Sequence, residues 1–336
     1  MTSAMTESYD ALLVLSFGGP EKHEDVLPFL ENVLRGRNVP RERMLEVAEH
    51  YYHFGGKSPI NDQNRALIDA VGKLLADEGP RLPIYWGNRN WQPYLADTLR
   101  QMRADGIRRV AGFVTSAYGS YSGCRQYRED IVSAKAEIGD GSPEIAKLPS
   151  FHANPRFIAA NVDHIRAALS RFASMPPIAF TAHSVPVSMS ETSPYVMQLN
   201  ETATLIASEL NIPDWKLVYQ SRSGPPTQPW LEPDIADHIR TLHAEGRRDL
   251  VIAPIGFVSD HMEVLYDLDT EAAELCEKLG IHMERAKTAG THPEFVRMIR
   301  DLILGPAQIC APGCCPPPQR PTVSVRPAQL IVQPGG

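Results

Sequence analysis

The sequence predicts an α/β protein built as two similar lobes, each a parallel sheet covered by helices. Three observations carry that prediction. Short apolar, β-rich runs that read as buried strands alternate with amphipathic stretches at helical spacing from end to end. Gly/Pro punctuation separates them, and a Gly/Pro-rich piece at 139–149 precedes a restart of the scheme. The second half then echoes the first: SFGGP (16–20) lines up with AHSVP (182–186), and Ala104-Asp105-Gly106 with Ala244-Glu245-Gly246. Gln92-Pro93-Tyr94-Leu95 is likewise set against Gln228-Pro229-Trp230-Leu231. On this alignment Phe17 and His183 are counterparts.

In order, residues 12–17 (LLVLSF) form a strand that stops at Gly18-Gly19-Pro20. Residues 24–34 and 43–54 carry apolar positions at helical spacing, each stopped by glycine. GGKSPIN (55–61) supplies turn residues and a cap region for a helix over 63–75. Then come a strand at 83–87, a helix at 94–104 and a strand at 109–116, ending in the hydroxyl-rich turn AYGSYSGCRQY. After the break, helices fall at 156–172, 195–210, 234–244, 262–279 and 293–304, with strands at 178–181, 217–221, 250–258 and 281–286. The first lobe therefore spans 1–150 and the second 151–305; the Pro- and Cys-rich tail, 306–336, is expected to be irregular.

Bulk composition narrows the function. Across 336 residues the charged fraction is 22% and the net charge is −7. No Lys/Arg block is longer than a pair, so the basic footprint that nucleic acid or an anionic membrane requires is missing. No stretch has the length of a membrane-spanning helix, and the first apolar run follows Glu7 and Asp10 rather than Lys or Arg, unlike a signal peptide. Five cysteines, three of them crowded into the tail, do not resemble a disulfide framework; a reducing cytoplasmic setting is expected.

Two features can do chemistry. IAFTAHSVP (178–186) places His183 where a strand gives way to a loop, and open parallel sheets bind ligands at the carboxyl ends of their strands. The second is the run SDHME (259–263), leading into a helix with carboxylates at Glu263, Asp267, Glu271 and Glu274. At 3.6 residues per turn these four stay within about a quarter-turn of one another. Charged helix faces often do no more than meet water, but like charges four residues apart repel, which a purely solvated face gains nothing from. A line of oxygen ligands leading inward suits a hydrated divalent cation.

IAFTAHSVP, SPYVMQLNETA and PIGFVSDHMEVLYDLDTE together resemble the ferrochelatase family, as do LLVLSFGGP, GGKSPIN and the Gln-Pro-Trp-Leu segment, in the family's order across residues 10–305. The resemblance implies two Rossmann-like, chelatase-type lobes around a porphyrin cleft and insertion of Fe2+ into a porphyrin with loss of two protons. It puts His183 and Glu263 on the catalytic, iron-binding pair, without fixing which takes protons and which binds iron. It sets Ser58, Tyr127 and Tyr51 among the porphyrin contacts, with a helix cap (Ser58) and ordinary helix packing (Tyr51) as the plain alternatives. Asp267 and Glu271 become a delivery path for iron. His50 stands where some relatives have Arg, and Phe17 where some have a Tyr able to ligate iron, which a phenyl ring cannot do. Some ferrochelatases hold a [2Fe–2S] cluster through one cysteine of the body and three near the C-terminus; Cys124, Cys310, Cys314 and Cys315 have that distribution, although the spacing C-x3-C-C is unusual. Cys276, in a helix beside apolar residues, reads as core.

The expected substrate is coproporphyrin III, since soluble members without a hydrophobic C-terminal tail often use it, with protoporphyrin IX as the alternative. A porphyrin or haem carrier and a cobalt or nickel chelatase of reduced tetrapyrroles are the other readings. No nucleic acid or integral membrane segment is implied; the oligomeric state is open, with a monomer expected.

Overall fold

The computed structural model describes residues 9–36, 39–224, 227–306 and 310–317; the remainder of the expected tail lies outside the described residues. β1 (Ala11–Ser16) is buried along its whole length. Leu12 and Val14 face one helical layer, and Ala11, Leu13 and Leu15 face the other. The chain then leaves the sheet for α1 (Val26–Leu34) and α2 (Arg41–His53), which bury Val26, Phe29, Leu30, Met44 and Ala48 against each other as a separate small core. Next come α3 (Ile60–Glu78), β2 (Ile84–Asn88), α4 (Leu95–Ala104), β3 (Arg109–Val114), α5 (Gln126–Ile138) and β4 (Glu144–Lys147).

The second half runs α6 (Pro155–Leu169), β5 (Ile178–His183), α7 (Val187–Ser190), α8 (Tyr195–Leu210), β6 (Trp215–Gln220), α9 (Ile235–Ala244) and β7 (Asp249–Ala253). It ends with α10 (Met262–Val264), a π-helical segment Leu265–Ala272, α11 (Ala273–Leu279), β8 (His282–Arg285) and α12 (Pro293–Leu304).

The eight strands pair only in parallel among the described residues, and the strand orders, β2-β1-β3-β4 and β6-β5-β7-β8, are the same order repeated. The register repeats as well. Leu12 pairs with Ile84 and Ala111, and Ile178 pairs with Trp215 and Val251. Carried along the strand, that register makes Phe17 the counterpart of His183, as the sequence alignment has it.

One sequence equivalence shifts. The carbonyl of Pro93 accepts from Asn88 N–H at 2.7 Å, and that of Pro233 accepts from Tyr219 N–H at 2.9 Å. Each contact comes just before the helix that follows the second strand of its sheet. Pro93 thus corresponds to Pro233, and the Gln-Pro-aromatic-Leu match at 228–231 is four residues out.

Helices cover both faces of each sheet. α12 packs against both α3 and α6, so Phe113, Phe151, Phe157 and Phe295 form one aromatic cluster shared by the two halves. Each fully buried Phe contributes about 2 kcal/mol of transfer free energy, which ties the sheets together.

Three sequence expectations are corrected. α5 and β4 were not anticipated: α5 has a weak apolar stripe, and β4 is a half-exposed edge strand defined by pairing with β3. β7 stops at Ala253, well short of 258, because Pro254 has no N–H for the ladder. The chain still hugs the sheet beyond it, with Gly256 N–H donating to Thr181 O at 3.0 Å. Only glycine fits there, since a Cβ would lie 2.5 Å from that of Ala182. The helix expected as one piece over 262–279 is π-helical in the middle. Among the described residues, no helix is long and apolar enough to cross a membrane.

Candidate active site

His183 is the last residue of β5, and its ring is partly exposed. Its Nδ1 is hydrogen-bonded to the carbonyl oxygen of Ser184. A carbonyl can only accept, so Nδ1 carries a proton and, in the neutral ring, the lone pair is on Nε2. That nitrogen lies 3.7 Å from Glu263 Oε2. A neutral Nε2 and a carboxylate are both acceptors, so the pair is built to share something positive. Behind the imidazole, the buried Tyr195 hydroxyl donates to His183 O at 3.0 Å and fixes the strand end.

Glu263 enters α10 under a cap that sequence reasoning missed. The half-buried His261 accepts from Glu263 N–H through Nδ1 at 3.2 Å, and desolvation lowers the pKa of that imidazole. One residue earlier, the main chain of Asp260 is held by the Gln63 amide of α3: Gln63 Nε2 donates to Asp260 O and Asp260 N–H donates to Gln63 Oε1, both at 2.8 Å. This double contact joins the two halves beside the site. Asp260 Oδ1 in turn accepts from Arg285 at 2.8 Å.

Asp267 follows in the π-helical segment. Burial first, then the charges of Glu263 and Glu271, push its carboxyl up to about 7 despite a hydrogen bond from Ser221. Glu271, exposed, is also raised, by burial and then by Asp234 and Glu274. Charge therefore couples a row of carboxylates along this segment, Glu274 to Glu271, Glu271 to Asp267 and Asp267 to Glu263. Asp234, at the start of α9, joins its outer end and carried no sequence signal.

α2 faces this row from the first half. The His50 ring stacks on Tyr266 with centroids 3.8 Å apart and planes 10° from parallel. Tyr51 lies half-buried against Phe29, and burial followed by the Glu263 charge raises its phenol pKa. Phe17 projects at the end of β1 with the Arg89 guanidinium 5.9 Å from its ring centroid. The same guanidinium lies 4.8 Å from the ring of the buried Tyr127 and pairs with Asp130 at 2.6 Å. Ser58 is buried, its N–H donating to Pro20 O at 2.8 Å and its Oγ lying 3.5 Å from Ile60 N at the start of α3. His183, Glu263, Asp267, Glu271 and Tyr51 thus gather in one region; Ser58 and Tyr127 belong to the first-half wall. Arg89 was not read from the sequence.

A second cluster lies apart from this one. Cys124, Cys310, Cys314 and Cys315 line one cavity of about 540 Å3 together with Ser193, Pro194 and Gln198. The vicinal pair can share a cavity because Cys315 sits at φ 50°, in the left-handed region, which turns the chain between two side chains that an extended backbone would splay apart. Arg125 donates to Cys314 O at 3.2 Å, and Arg128 reaches Cys314 Sγ at 3.4 Å. These contacts fasten residues 310–317 to the first half. Cys276 is buried in the second core, as expected. Among the described residues, no group of three or more His, Cys, Asp or Glu side chains is drawn together tightly enough to hold a metal ion.

Residues 9–305 match the Ferrochelatase family. The chain is 54% identical to a protein named ferrochelatase from Rhodopirellula baltica, covering 96% of this chain and 98% of that one. It is 48% identical to the coproporphyrin III ferrochelatase of Streptomyces griseus, covering 92% of this chain and 93% of the relative. Against that of Mycobacteroides abscessus the identity is 49%, with 88% of each chain covered. Among solved structures, the cobalt complex of the sirohydrochlorin chelatase SirB from Bacillus subtilis superposes with a TM-score of 0.53 at 10% identity, covering 88% of this chain and 93% of that one. At that identity the likeness speaks for the chelatase fold alone.

Proposed function

The chain belongs to the ferrochelatase family of metal chelatases, and on that premise we propose that it inserts Fe2+ into coproporphyrin III, releasing the two pyrrole protons. The relatives named for that porphyrin support the choice of substrate. The observation that carries the chemistry is the 3.7 Å gap between His183 Nε2 and Glu263 Oε2 at the carboxyl end of β5. A lone pair and a negative charge on opposite sides of one gap can take a pyrrole proton and hold the incoming ion between them. Asp267 and Glu271, both inclined to accept positive charge, lead to that gap as a path for the hydrated cation. In this reading the lobes 1–150 and 151–305 flank the macrocycle, which meets Tyr51, Ser58 and Tyr127 on the first-lobe side.

A [2Fe–2S] cluster held by Cys124, Cys310, Cys314 and Cys315 is part of the proposal. Four thiols line one cavity and would have to draw closer to one another to ligate a cluster; Arg125 and Arg128 beside Cys314 would offset the negative charge of a tetrathiolate site. When bound, such a cluster would supply ligand bonds that fold the tail onto the first lobe.

Anaerobic steady-state assays with Fe2+ and each porphyrin test the function. The expected result is a kcat/KM for coproporphyrin III at least about tenfold above that for protoporphyrin IX, a difference of ~1.4 kcal/mol. A preference for protoporphyrin would reverse the substrate assignment. Porphyrin binding with no metalloporphyrin formed would leave a carrier.

A further inference from the structure

Two aspartates bracket the segment that carries Glu263. Asp260 stands just ahead of it, and Asp269 follows Asp267 on the π-helical stretch Leu265–Ala272. One side chain holds both. Arg285 ends β8, where it pairs in register with Ile252 of β7. Its Nε and Nη2 take the two oxygens of Asp269 as a fork, Nη2 at 2.8 Å, and its Nη1 donates to Asp260 Oδ1 at 2.8 Å. Nη1 also donates to Ala286 O at 3.2 Å. Every guanidinium nitrogen therefore has a partner. With 14% of its side chain exposed, Arg285 is shielded from the water and salt that weaken surface ion pairs.

The other contacts of the segment leave its rotation to this clamp. Gln63 holds the Asp260 main chain from the first half, so Asp260 is gripped at its backbone by one residue and at its carboxylate by another. Between the two aspartates, Gln220 at the end of β6 donates to Glu263 O at 3.2 Å, and Ser221 donates to Asp267. An α-helix turns about 100° at each residue, and a π-helix, with more residues per turn, turns less. Slipping to the α form would swing Asp269 off Arg285 and turn Asp267 relative to Glu263. π-Helical stretches are rare, and a tie at each end gives this one a reason to persist.

We infer that Arg285 is a positioning residue for metal insertion: its fork on Asp269 and its further hydrogen bond to Asp260 hold the intervening segment in the π-helical form that sets Glu263 against His183. The inference rests on the His183–Glu263 chemistry proposed above. In this role Arg285 contacts neither porphyrin nor iron and acts through the two aspartates. What it supplies is shape as well as charge. A planar guanidinium meets one carboxylate with two parallel bonds and still offers a donor to the other, whereas a lysine ammonium is a point charge on a flexible stem.

Three variants separate that role from charge balance and from simple stability. Arg285→Lys keeps the charge and loses the fork; Arg285→Met loses both; Asp269→Ala removes one end of the clamp and leaves Arg285 on Asp260. Iron kcat/KM is measured anaerobically at saturating coproporphyrin III, porphyrin Kd by fluorescence quenching, and amide hydrogen exchange by mass spectrometry without substrate. Iron kcat/KM should fall at least about thirtyfold in Arg285→Met, about tenfold in Arg285→Lys and about fivefold in Asp269→Ala, with porphyrin Kd within about twofold throughout. Exchange over 262–272 should quicken at least about tenfold in each, while α3 and α8 keep their protection. An Arg285→Lys variant within about threefold of wild type would mean that positive charge suffices, and overturns the inference. Unchanged turnover in Arg285→Met overturns it too, as does a loss of protection spread over the whole chain. If Arg285→Met fails to fold, Asp269→Ala decides: unchanged iron kcat/KM or unchanged exchange over 262–272 sinks the proposal. Wild-type protein that forms no metalloporphyrin sinks the functional reading instead, and the exchange rates then test the clamp by themselves.

Discussion

Replacing Asp267 by Asn should change the pH dependence of stability in a defined direction. The folded carboxyl is raised from 3.8 to about 7, chiefly by burial. Its native state therefore holds a proton that the unfolded chain releases above pH 4. Stability falls as pH rises from about 4 to 7 and is level above that, because the native protein binds the extra proton only within this window. At ~1.4 kcal/mol per unit, the whole span is worth roughly 4 kcal/mol as an upper figure. Asn mimics the protonated acid and still accepts from Ser221, so Asp267→Asn should match wild type near pH 4 and exceed it increasingly up to pH 7. For a chain of this length, that is a Tm advantage of roughly 5 °C at pH 8. Calorimetric scans of iron-free protein from pH 4 to 8 provide the assay. A Tm difference that does not vary with pH would mean Asp267 is ionised throughout, and the burial argument would be wrong.

His183→Ala should lower kcat by at least about 10³-fold while leaving porphyrin Kd near wild type, since proton transfer and metal binding are lost but the binding surface is not; quenching titrations beside turnover assays check this. Gln63→Ala removes the double contact to the Asp260 main chain and should cost about 1–3 kcal/mol in urea denaturation, with iron KM rising as the Glu263 cap loosens. Protein purified without oxygen should be brown with two irons and two sulfides per chain, and Cys124→Ser should bleach it and expose residues 310–317 to protease; colourless protein in which Cys310 and Cys314 titrate as free thiols would remove the cluster.

The sequence by itself determined the alternation of buried strands and amphipathic helices, the duplication, and the two places where chemistry concentrates. Each of these is local: LLVLSF and IAFTAH are apolar enough to be buried on both faces, and a strand that ends in Ala-His-Ser must present its histidine at the carboxyl edge of the sheet. What depended on atoms distant in the chain was not legible. β4 has one isoleucine and forms because β3 offers it a ladder. Gln63 and Gln220 look like ordinary polar residues until the fold sets one against the Asp260 main chain and the other between Glu263 and Asp267. The acidity of Asp267 was equally hidden, because desolvation is a property of everything packed around a carboxyl and not of its neighbours in sequence. Spacing could place four carboxylates on one helical segment; only the tertiary structure decided which of them is held against His183 and which remain in water.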